Sequence, residues 1–161
     1  MAKKSLQKLF MEETIRQQEN YYRLAYSYTK NPEDALDIVQ ESIYKAISSL
    51  DTLEDPRALK TWFYRILVNT SLDFLREQKK INVMDEELLE IHISGKEDLY
   101  PDIDLQKALD ELPPAYRSII VLRYFEDLKI EEVAAILNIN ANTVKTRLYT
   151  ALKKLRLEML A

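Results

Sequence analysis

Apolar residues recur every three to four positions along most of the chain, which is the spacing of amphipathic helices. The pattern predicts helices from near Thr14 to Lys30, from Pro32 to about Leu50, and from Pro56 to about Lys79. It then predicts a short helix from Asp104 to Leu112, a longer one that ends at Glu126 and Asp127, and two final helices. We therefore expect an all-α protein.

The same spacing predicts which faces of the N-terminal helices are buried. For the second helix the predicted inner stripe is Leu36, Val39, Ile43, Ala46, Ile47 and Leu50. For the third helix it is Leu59, Phe63, Ile66, Leu67 and Phe74. The outer stripe of this third helix is predicted to contain Arg65, Asn69, Asp73 and Arg76, flanked by Arg57, Lys60, Tyr64 and Lys80.

The last two predicted helices form a helix-turn-helix pattern between Leu128 and Leu157. Asn138 lies where the chain must reverse, and asparagine tolerates positive φ better than most residues. The predicted inner positions are Val133, Ala134, Leu137, Ile139, Val144 and Leu148. The predicted outward positions are Asn142, Lys145, Thr146, Tyr149 and Lys153. Residues 141 to 157 carry five cations and no anion, which favours a DNA-docking helix over a basic solvated face on an ordinary bundle.

Composition excludes several classes of function. The chain has one glycine, Gly95, so a glycine-rich phosphate loop cannot be built. It has no cysteine and one histidine, His92, so we expect no disulfide, no thiolate metal site and no cofactor. No run of 18 apolar residues occurs, and we expect a cytoplasmic protein without membrane insertion.

The net charge of −4 hides a strong alternation of sign along the chain. Residues 31 to 55 carry seven acids and one lysine, whereas residues 57 to 80 carry six bases and two acids. Residues 85 to 111 carry ten acids and two lysines, and the basic last helix follows. Segment 81 to 103 lacks a sustained helical period. We therefore predict two small helical domains, 1–80 and 104–161, joined by an acidic linker, 81–103.

Three stretches together resemble the extracytoplasmic-function (ECF) RNA polymerase sigma factors of the sigma-70 superfamily. They are NPEDALDIVQESIYKAI from Asn31, WFYRILVNTSLDFLREQKK from Trp62, and the segment from Leu109 to Arg156 that contains the helix-turn-helix. Each is weak alone, but their order and spacing agree with the family. The resemblance implies an alternative sigma factor that directs promoter-specific transcription initiation, and it implies no enzyme activity.

The resemblance also assigns roles to the surfaces of residues 1 to 80. It implies that core RNA polymerase binds Asp34, Asp37, Gln40 and Glu41, with a merely solvated helix face as the less favoured alternative. It implies that the promoter's minus-10 element binds Arg65, Asn69, Asp73, Arg76, Tyr64 and Lys80. Asp73 and Arg76 could instead form only an ion pair. The loop from Thr52 to Arg57 resembles the family's pocket for a flipped base, and we favour a core position over a stacking role for Trp62.

For the C-terminal domain the resemblance implies recognition of the minus-35 element. Direct contact is expected from Asn142, Lys145, Thr146 and Arg147, and phosphate contact from Thr143, Thr150 and Lys153. Lys129 and Asn138 depart from the family pattern, which commonly has serine and glycine there. Promoter DNA, core polymerase and a membrane-associated anti-sigma factor are the implied partners, and the family suggests a role in stress response.

Three other classes of protein fit the sequence less well. In a stand-alone helix-turn-helix regulator the N-terminal half would be a sensor or receiver domain. An aspartyl-phosphate receiver needs alternating strands and helices, yet residues 1 to 80 show only helical periods. A helical adaptor that binds only proteins leaves the two basic surfaces unexplained. An enzyme is the least supported reading, since no nucleophile with a histidine partner can be assembled.

Overall fold

A computed structural model describes residues 2–78 and 105–160 of the chain. Within these ranges the secondary structure is helical, which confirms the predicted fold class. Four helices precede residue 79: α1 Ala2–Arg16, α2 Gln18–Thr29, α3 Pro32–Ser48 and α4 Leu59–Glu77. Four follow residue 104: α5 Leu105–Asp110, α6 Pro114–Ile120, α7 Ile130–Leu137 and α8 Ala141–Leu160. No helix in these ranges is long and apolar enough to cross a membrane.

The N-terminal helices begin and end at chemically recognisable residues. The Asn31 side chain accepts a hydrogen bond from the Asp34 backbone N–H at 2.9 Å, and Pro32 occupies the first turn of α3, as predicted. The preceding residue, Lys30, closes α2 with a positive φ of 57°. The first predicted helix is divided at Gln17, and α1 extends it toward the N-terminus beyond the predicted start.

An aromatic cluster forms the centre of the N-terminal half of the molecule, residues 2–78. Phe10 of α1 is buried against Trp62 and Phe63 of α4, with ring centroids 6.5 and 5.5 Å apart. Tyr21 of α2 lies between Phe63, at 4.5 Å, and Tyr64, at 5.8 Å. Trp62 is half-buried against the core, as the sequence favoured. The cluster fixes α1 and α2 on one side of α4.

Helix α3 is rotated relative to the predicted inner stripe. Leu36 and Ile47 were predicted to be buried, but they are 53% and 47% exposed. The inner face instead contains Ala35, Ile38, Val39, Ser42 and Ala46. Small residues on this face let α3 approach α2 and α4 closely, and this packing sets the rotation of the helix. The two larger residues are left facing solvent.

The segment before α4 is a pair of 3₁₀ turns, Leu50–Thr52 and Pro56–Ala58. The Asp55 carboxylate accepts a hydrogen bond from the Arg57 backbone N–H at 3.0 Å and also pairs with the Arg57 side chain. The predicted cap is therefore confirmed, although the regular α-helix begins three residues later, at Leu59. The Arg57 hydrogen bonds hold the pKa of Asp55 below its ordinary value.

The helix-turn-helix has the predicted geometry. Asn138 adopts φ 58° and ψ 46° between α7 and α8, which is the left-handed conformation expected of it. Val133, Ala134, Val144 and Leu148 are buried as predicted, Leu137 and Ile139 are partly buried, and Ile136 is an additional core residue. The Glu132 carboxylate accepts a hydrogen bond from the Lys129 backbone N–H at 2.8 Å, so the start of α7 is capped without a serine.

Helix α6 continues into a π-helical turn, Val121–Phe125, in which the helix is wider, and the chain then reverses direction. Asp127 then takes a positive φ of 58°. This turn and α6 pack against α2, and α7 packs against α4. The two halves of the molecule therefore share one continuous core. The predicted linker, 81–103, lies outside the described residues, together with His92 and Gly95.

Candidate nucleic-acid and protein interfaces

The outer face of α8 presents the residues predicted to read DNA. Asn142, Lys145, Thr146 and Lys153 are exposed, whereas Thr143, Arg147 and Thr150 are half-buried. The Asn140 side chain caps the helix by accepting hydrogen bonds from the Thr143 backbone N–H and hydroxyl at 2.8 and 3.0 Å. The first turn of α8, which would enter a major groove, is thereby fixed in position.

A polar cleft of about 410 Å³ runs along the first turns of α8. Its lining includes Asn142, Thr143, Thr146 and Arg147 from the predicted reading surface and Tyr116 from α6. The Thr146 hydroxyl donates to the Asn142 carbonyl at 3.0 Å, so both residues lie one helical turn apart on the same face. The structure thus brings most of the predicted minus-35 residues together on one surface.

The outer stripe of α4 consists of Arg65, Asn69, Asp73 and Arg76, and all four side chains are exposed. Arg76 donates to the Asp73 carboxylate at 2.7 Å, so the ion pair that the sequence allowed is present. Its side chains are 69% and 56% exposed, and solvent therefore weakens the attraction between them. This pair can separate to bind another polar group.

Tyr64 was predicted on the solvent side of α4, and that placement is wrong. It is only 1% exposed, and its hydroxyl donates to Glu126 Oε1 at 2.6 Å. Burial, followed by the Glu126 hydrogen bond, raises the pKa of Tyr64. The other half of the molecule covers this face of α4, which helical spacing could not reveal. Lys80, also predicted for the minus-10 element, lies outside the described residues.

Helix α3 presents a mixed acidic and apolar surface. Asp37, Gln40 and Glu41 are exposed, and Asp34 is half-buried at the start of the helix. Lys45 lies 3.5 Å from the Glu41 carboxylate. The surface also has an apolar part: Tyr44 is 72% exposed, as its spacing predicts, and Leu36 and Ile47, which were predicted to be buried, are 53% and 47% exposed. Together with Gln40, these three residues are spaced four, four and three positions apart, so they lie on one face of α3. An exposed apolar face of this kind is typical of a surface that binds a protein partner.

The loop that resembles a flipped-base pocket borders an open groove of about 550 Å³. Asp51, Leu53, Glu54 and Pro56 form one wall, and Ser5, Leu6 and Leu9 of α1 form the other. The lining is largely apolar with carboxylates at its edge. Helix α1, absent from the sequence-based expectation, therefore completes the groove.

Glu126 lies at the centre of the contact between the two halves. Its side chain is 1% exposed, accepts the Tyr64 hydrogen bond and lies 3.9 Å from Arg23 Nε of α2. Lys60 Nζ of α4 donates to the Glu126 backbone carbonyl at 3.5 Å. Burial raises the pKa of Glu126, although Tyr64, Arg23 and Lys60 oppose this effect. Arg23 also stacks over the Phe125 ring at 5.2 Å.

A hydrogen bond and an electrostatic interaction also join the halves. Buried Arg117 of α6 donates through Nε to the Ser27 carbonyl of α2 and through a terminal nitrogen to the Leu112 carbonyl. Burial lowers the pKa of Arg117 to about 10. Arg147 of α8 lies near the buried Tyr28 hydroxyl of α2, whose pKa burial raises to about 12 against the effects of Ser118 and Arg147. The helical patterns of the sequence carried no signal for these long-range contacts.

No group of three or more histidine, cysteine, aspartate or glutamate residues that could hold a metal ion occurs in the described ranges.

Two family profiles match the chain: "Sigma-70 region 2" over residues 15–81 and "Sigma-70, region 4" over residues 102–155. The RNA polymerase sigma factor SigV of Bacillus subtilis is 61% identical, over 88% of this chain and 85% of that protein. The ECF RNA polymerase sigma factor SigW of the same species is 31% identical, over 98% and 92%.

Solved structures show the same fold. The sigma factor RpoE of Bartonella quintana, in complex with the anti-sigma factor NepR, superimposes with a TM-score of 0.69 at 27% identity, covering 94% of this chain and 96% of that one. CnrH, in complex with the cytosolic domain of CnrY, superimposes with a TM-score of 0.66 at 24% identity, covering 93% and 86%.

Proposed function

Because the chain belongs to the ECF sigma factors of the sigma-70 family, a class of transcription initiation factors rather than enzymes, we propose that three of its surfaces divide the work of promoter recognition. The observation that carries this division is the exposure of three chemically distinct helix faces, on α3, α4 and α8. As a region 2-like domain, residues 1–80 bind core RNA polymerase and the minus-10 element. As a region 4-like domain, residues 104–161 bind the minus-35 element, and residues 81–103 link the two domains.

The polymerase surface is the outer face of α3. Its acidic residues are Asp34, Asp37 and Glu41, with Gln40 between them, and the structure adds the exposed apolar residues Leu36, Tyr44 and Ile47. Exposed apolar side chains surrounded by charges favour a protein partner because docking removes them from water. The carboxylates would determine orientation and partner choice.

The minus-10 surface is the outer stripe of α4, with Lys80 beyond its end. Arg65 and Arg76 would bind phosphates, and Asn69 and Asp73 would hold bases exposed by strand separation. Tyr64, initially assigned to the same surface, could reach DNA only if the two halves separated, because Glu126 covers it.

The minus-35 surface is the outer face of α8. Asn142, Lys145, Thr146 and Arg147 lie in its leading turns and would reach base edges in the major groove. Thr143, Thr150 and Lys153 would bind phosphates. The five cations of residues 141 to 157 supply the attraction to duplex DNA.

We also propose that an anti-sigma factor regulates the chain. The matching structures of RpoE with NepR and of CnrH with the cytosolic domain of CnrY support it. We expect the chain to act in the cytoplasm and to be held inactive by a membrane-associated anti-sigma factor until a stress signal releases it.

Size-exclusion chromatography with bacterial core RNA polymerase tests the central claim. The chain should co-elute as a one-to-one complex at moderate salt, and the pair Asp37→Lys and Glu41→Lys should abolish co-elution. The matched control is the pair Glu12→Lys and Glu19→Lys, which changes the net charge equally at exposed positions outside α3. Failure of the wild-type chain to bind a polymerase that accepts another sigma factor would favour a stand-alone DNA-binding regulator.

A further inference from the structure

The last three turns of α8 expose apolar side chains that DNA reading does not explain. Tyr149, Leu157 and Leu160 are 71%, 58% and 75% exposed, and the cations Lys153 and Arg156 are exposed between them. A 20-residue helix is about 30 Å long, whereas the major groove is about 12 Å wide. A helix that enters the groove by its leading turns therefore leaves its last turns outside the DNA. We call this surface, residues 149–160, the basic end of α8.

The outer face of α3 has the opposite charge and the same mixture of residue types. Its exposed apolar side chains accompany the exposed carboxylates of Asp37 and Glu41. We call this surface, residues 36–47, the acidic face of α3. Apolar side chains among charges of one sign favour a protein surface of the other sign, because docking removes the apolar groups from water and the charges set the orientation.

The charges of both surfaces are available to a partner. Asp37, Lys153 and Arg156 form no ion pair within residues 2–78 and 105–160. Glu41 lies 3.5 Å from Lys45, but the two side chains are 62% and 40% exposed, so solvent weakens the attraction between them. The acidic face and the basic end can therefore attract each other without first breaking a strong ion pair.

The two surfaces also match in length and in the order of their residues. Each extends about 17 Å along its helix, at about 1.5 Å per residue. On α3 an apolar residue, an acid and a tyrosine follow at steps of one and seven positions. On α8 a leucine, an arginine and a tyrosine follow at the same steps in the reverse direction. In an antiparallel pairing of the helices, Leu36 would meet Leu157, Asp37 would meet Arg156, and Tyr44 would meet Tyr149.

Within one chain the two surfaces do not cover each other, since both are exposed. We propose that the free chain associates with a second copy of itself, with the acidic face of α3 of each copy packed antiparallel on the basic end of α8 of the other. Two-fold symmetry forms this contact twice. Because each contact is short, we expect a dissociation constant on the order of 10 μM.

The dimer would cover the proposed polymerase surface and the later turns of the proposed minus-35 helix in both copies. Polymerase would then bind only the monomer, and self-association would raise the concentration of chain needed for activity. This consequence rests on the proposed function. Dimer formation itself requires neither polymerase nor promoter, so the two can fail separately.

Sedimentation velocity of the full chain tests the association. Between about 1 and 200 μM at low salt the sedimentation coefficient should rise from that of a monomer to that of a dimer, and salt should reverse the rise. A chain that stays monomeric throughout this range would overturn the proposal.

Charge reversal tests which surfaces meet. The pair Asp37→Lys and Glu41→Lys, and separately the pair Lys153→Glu and Arg156→Glu, should each weaken dimerisation by at least about tenfold, because like charges then face each other. An equal mixture of the two variants should recover the dimer, since both contacts again join opposite charges. Recovery would also show that both variants are folded. Loss without recovery, or dimerisation that neither pair affects, would overturn the proposal.

Matched controls make the same charge changes at exposed positions on α1 and α2. They are the pair Glu12→Lys and Glu19→Lys, and the pair Lys4→Glu and Lys8→Glu. Both should dimerise like the wild type, and an equal loss in the controls would overturn the pairing of these two surfaces. Addition of core polymerase should convert the dimer into a one-to-one complex, and a complex that retained both copies would contradict the proposed coverage. Failure to bind polymerase at all would overturn the proposed function and not the dimer.

Discussion

The outer faces of α4 and α8 are both exposed and lie on helices of similar length, 19 and 20 residues, yet their charges are arranged differently. On α4, Asp73 partly neutralises Arg76 at 2.7 Å. On α8, residues 141 to 157 contain five cations and no anion. Duplex DNA favours uncompensated cations, whereas separated strands favour polar groups that hold unstacked bases. The comparison suggests that each face suits a different form of DNA.

The largest expected effect comes from Lys145 on α8. Lys145→Ala should reduce discrimination between correct and altered minus-35 sequences by about 1 to 3 kcal/mol if Lys145 contacts a base. Competition binding of the polymerase complex to both sequences measures this, with Lys129→Ala as a control at an exposed lysine that precedes α7. A uniform loss of affinity across sequences would indicate a phosphate contact. If neither affinity nor discrimination fell, both the base contact and the phosphate contact would be excluded.

A smaller effect is expected on α4. Asn69→Ala and Arg76→Ala should each reduce the open-complex equilibrium by about 1 kcal/mol, several-fold, because each removes a polar contact to the separated strands. Permanganate footprinting measures strand separation, and co-elution with core polymerase should remain unchanged. Glu77→Ala is the control on the same helix. If open-complex formation were unaffected, the minus-10 role of the α4 stripe would be wrong.

Salt dependence should separate the two faces further. Lys153→Ala should reduce the slope of log affinity against log salt by about 0.9 if it removes a contact to duplex phosphate. Arg65→Ala should reduce the slope by about 0.7 if its partner is single-stranded. Titrations of duplex and of pre-melted promoter DNA give both slopes. If each substitution changed the salt slope equally on duplex and on pre-melted DNA, the two faces would not differ in the form of DNA that they bind.

The smallest effect is expected from the ion pair itself. Asp73→Asn releases Arg76 from its partner and should strengthen binding to a pre-melted promoter by a few tenths of a kcal/mol, about the worth of an exposed pair. Fluorescence anisotropy with a bubble template is sensitive enough to detect it. Weaker binding would show that contact of the Asp73 carboxylate with a base outweighs the release of Arg76.

Local signals in the sequence determined much of the fold. Asn31 with Pro32, Asp55 with Pro56, and Asn138 each act on the backbone within a few residues, so their positions predicted helix boundaries. The outward positions Asn142 and Lys145 followed from helical spacing in the same way. The rotation of α3 did not, because small residues at Ala35 and Ala46 decide how closely it approaches its neighbours.

The contact between the halves was beyond sequence reasoning for a physical reason. Tyr64 and Glu126 are 62 positions apart, and each follows a pattern that is typical of an exposed residue. Charged residues are rarely buried, so nothing in the sequence marks Glu126 as a core residue. Only the packing of α2 and α4 against the second half supplies its partners.

The π-helical turn Val121–Phe125 places Glu126 where it can meet those partners. Such a turn contains one residue more than an α-helical turn, and each residue changes the direction of the side chain by about 100°. Deleting one residue there would rotate Phe125 and Glu126 away from α2 and α4. The length of this turn, to within one residue, therefore determines whether the second half can dock on α2 and α4.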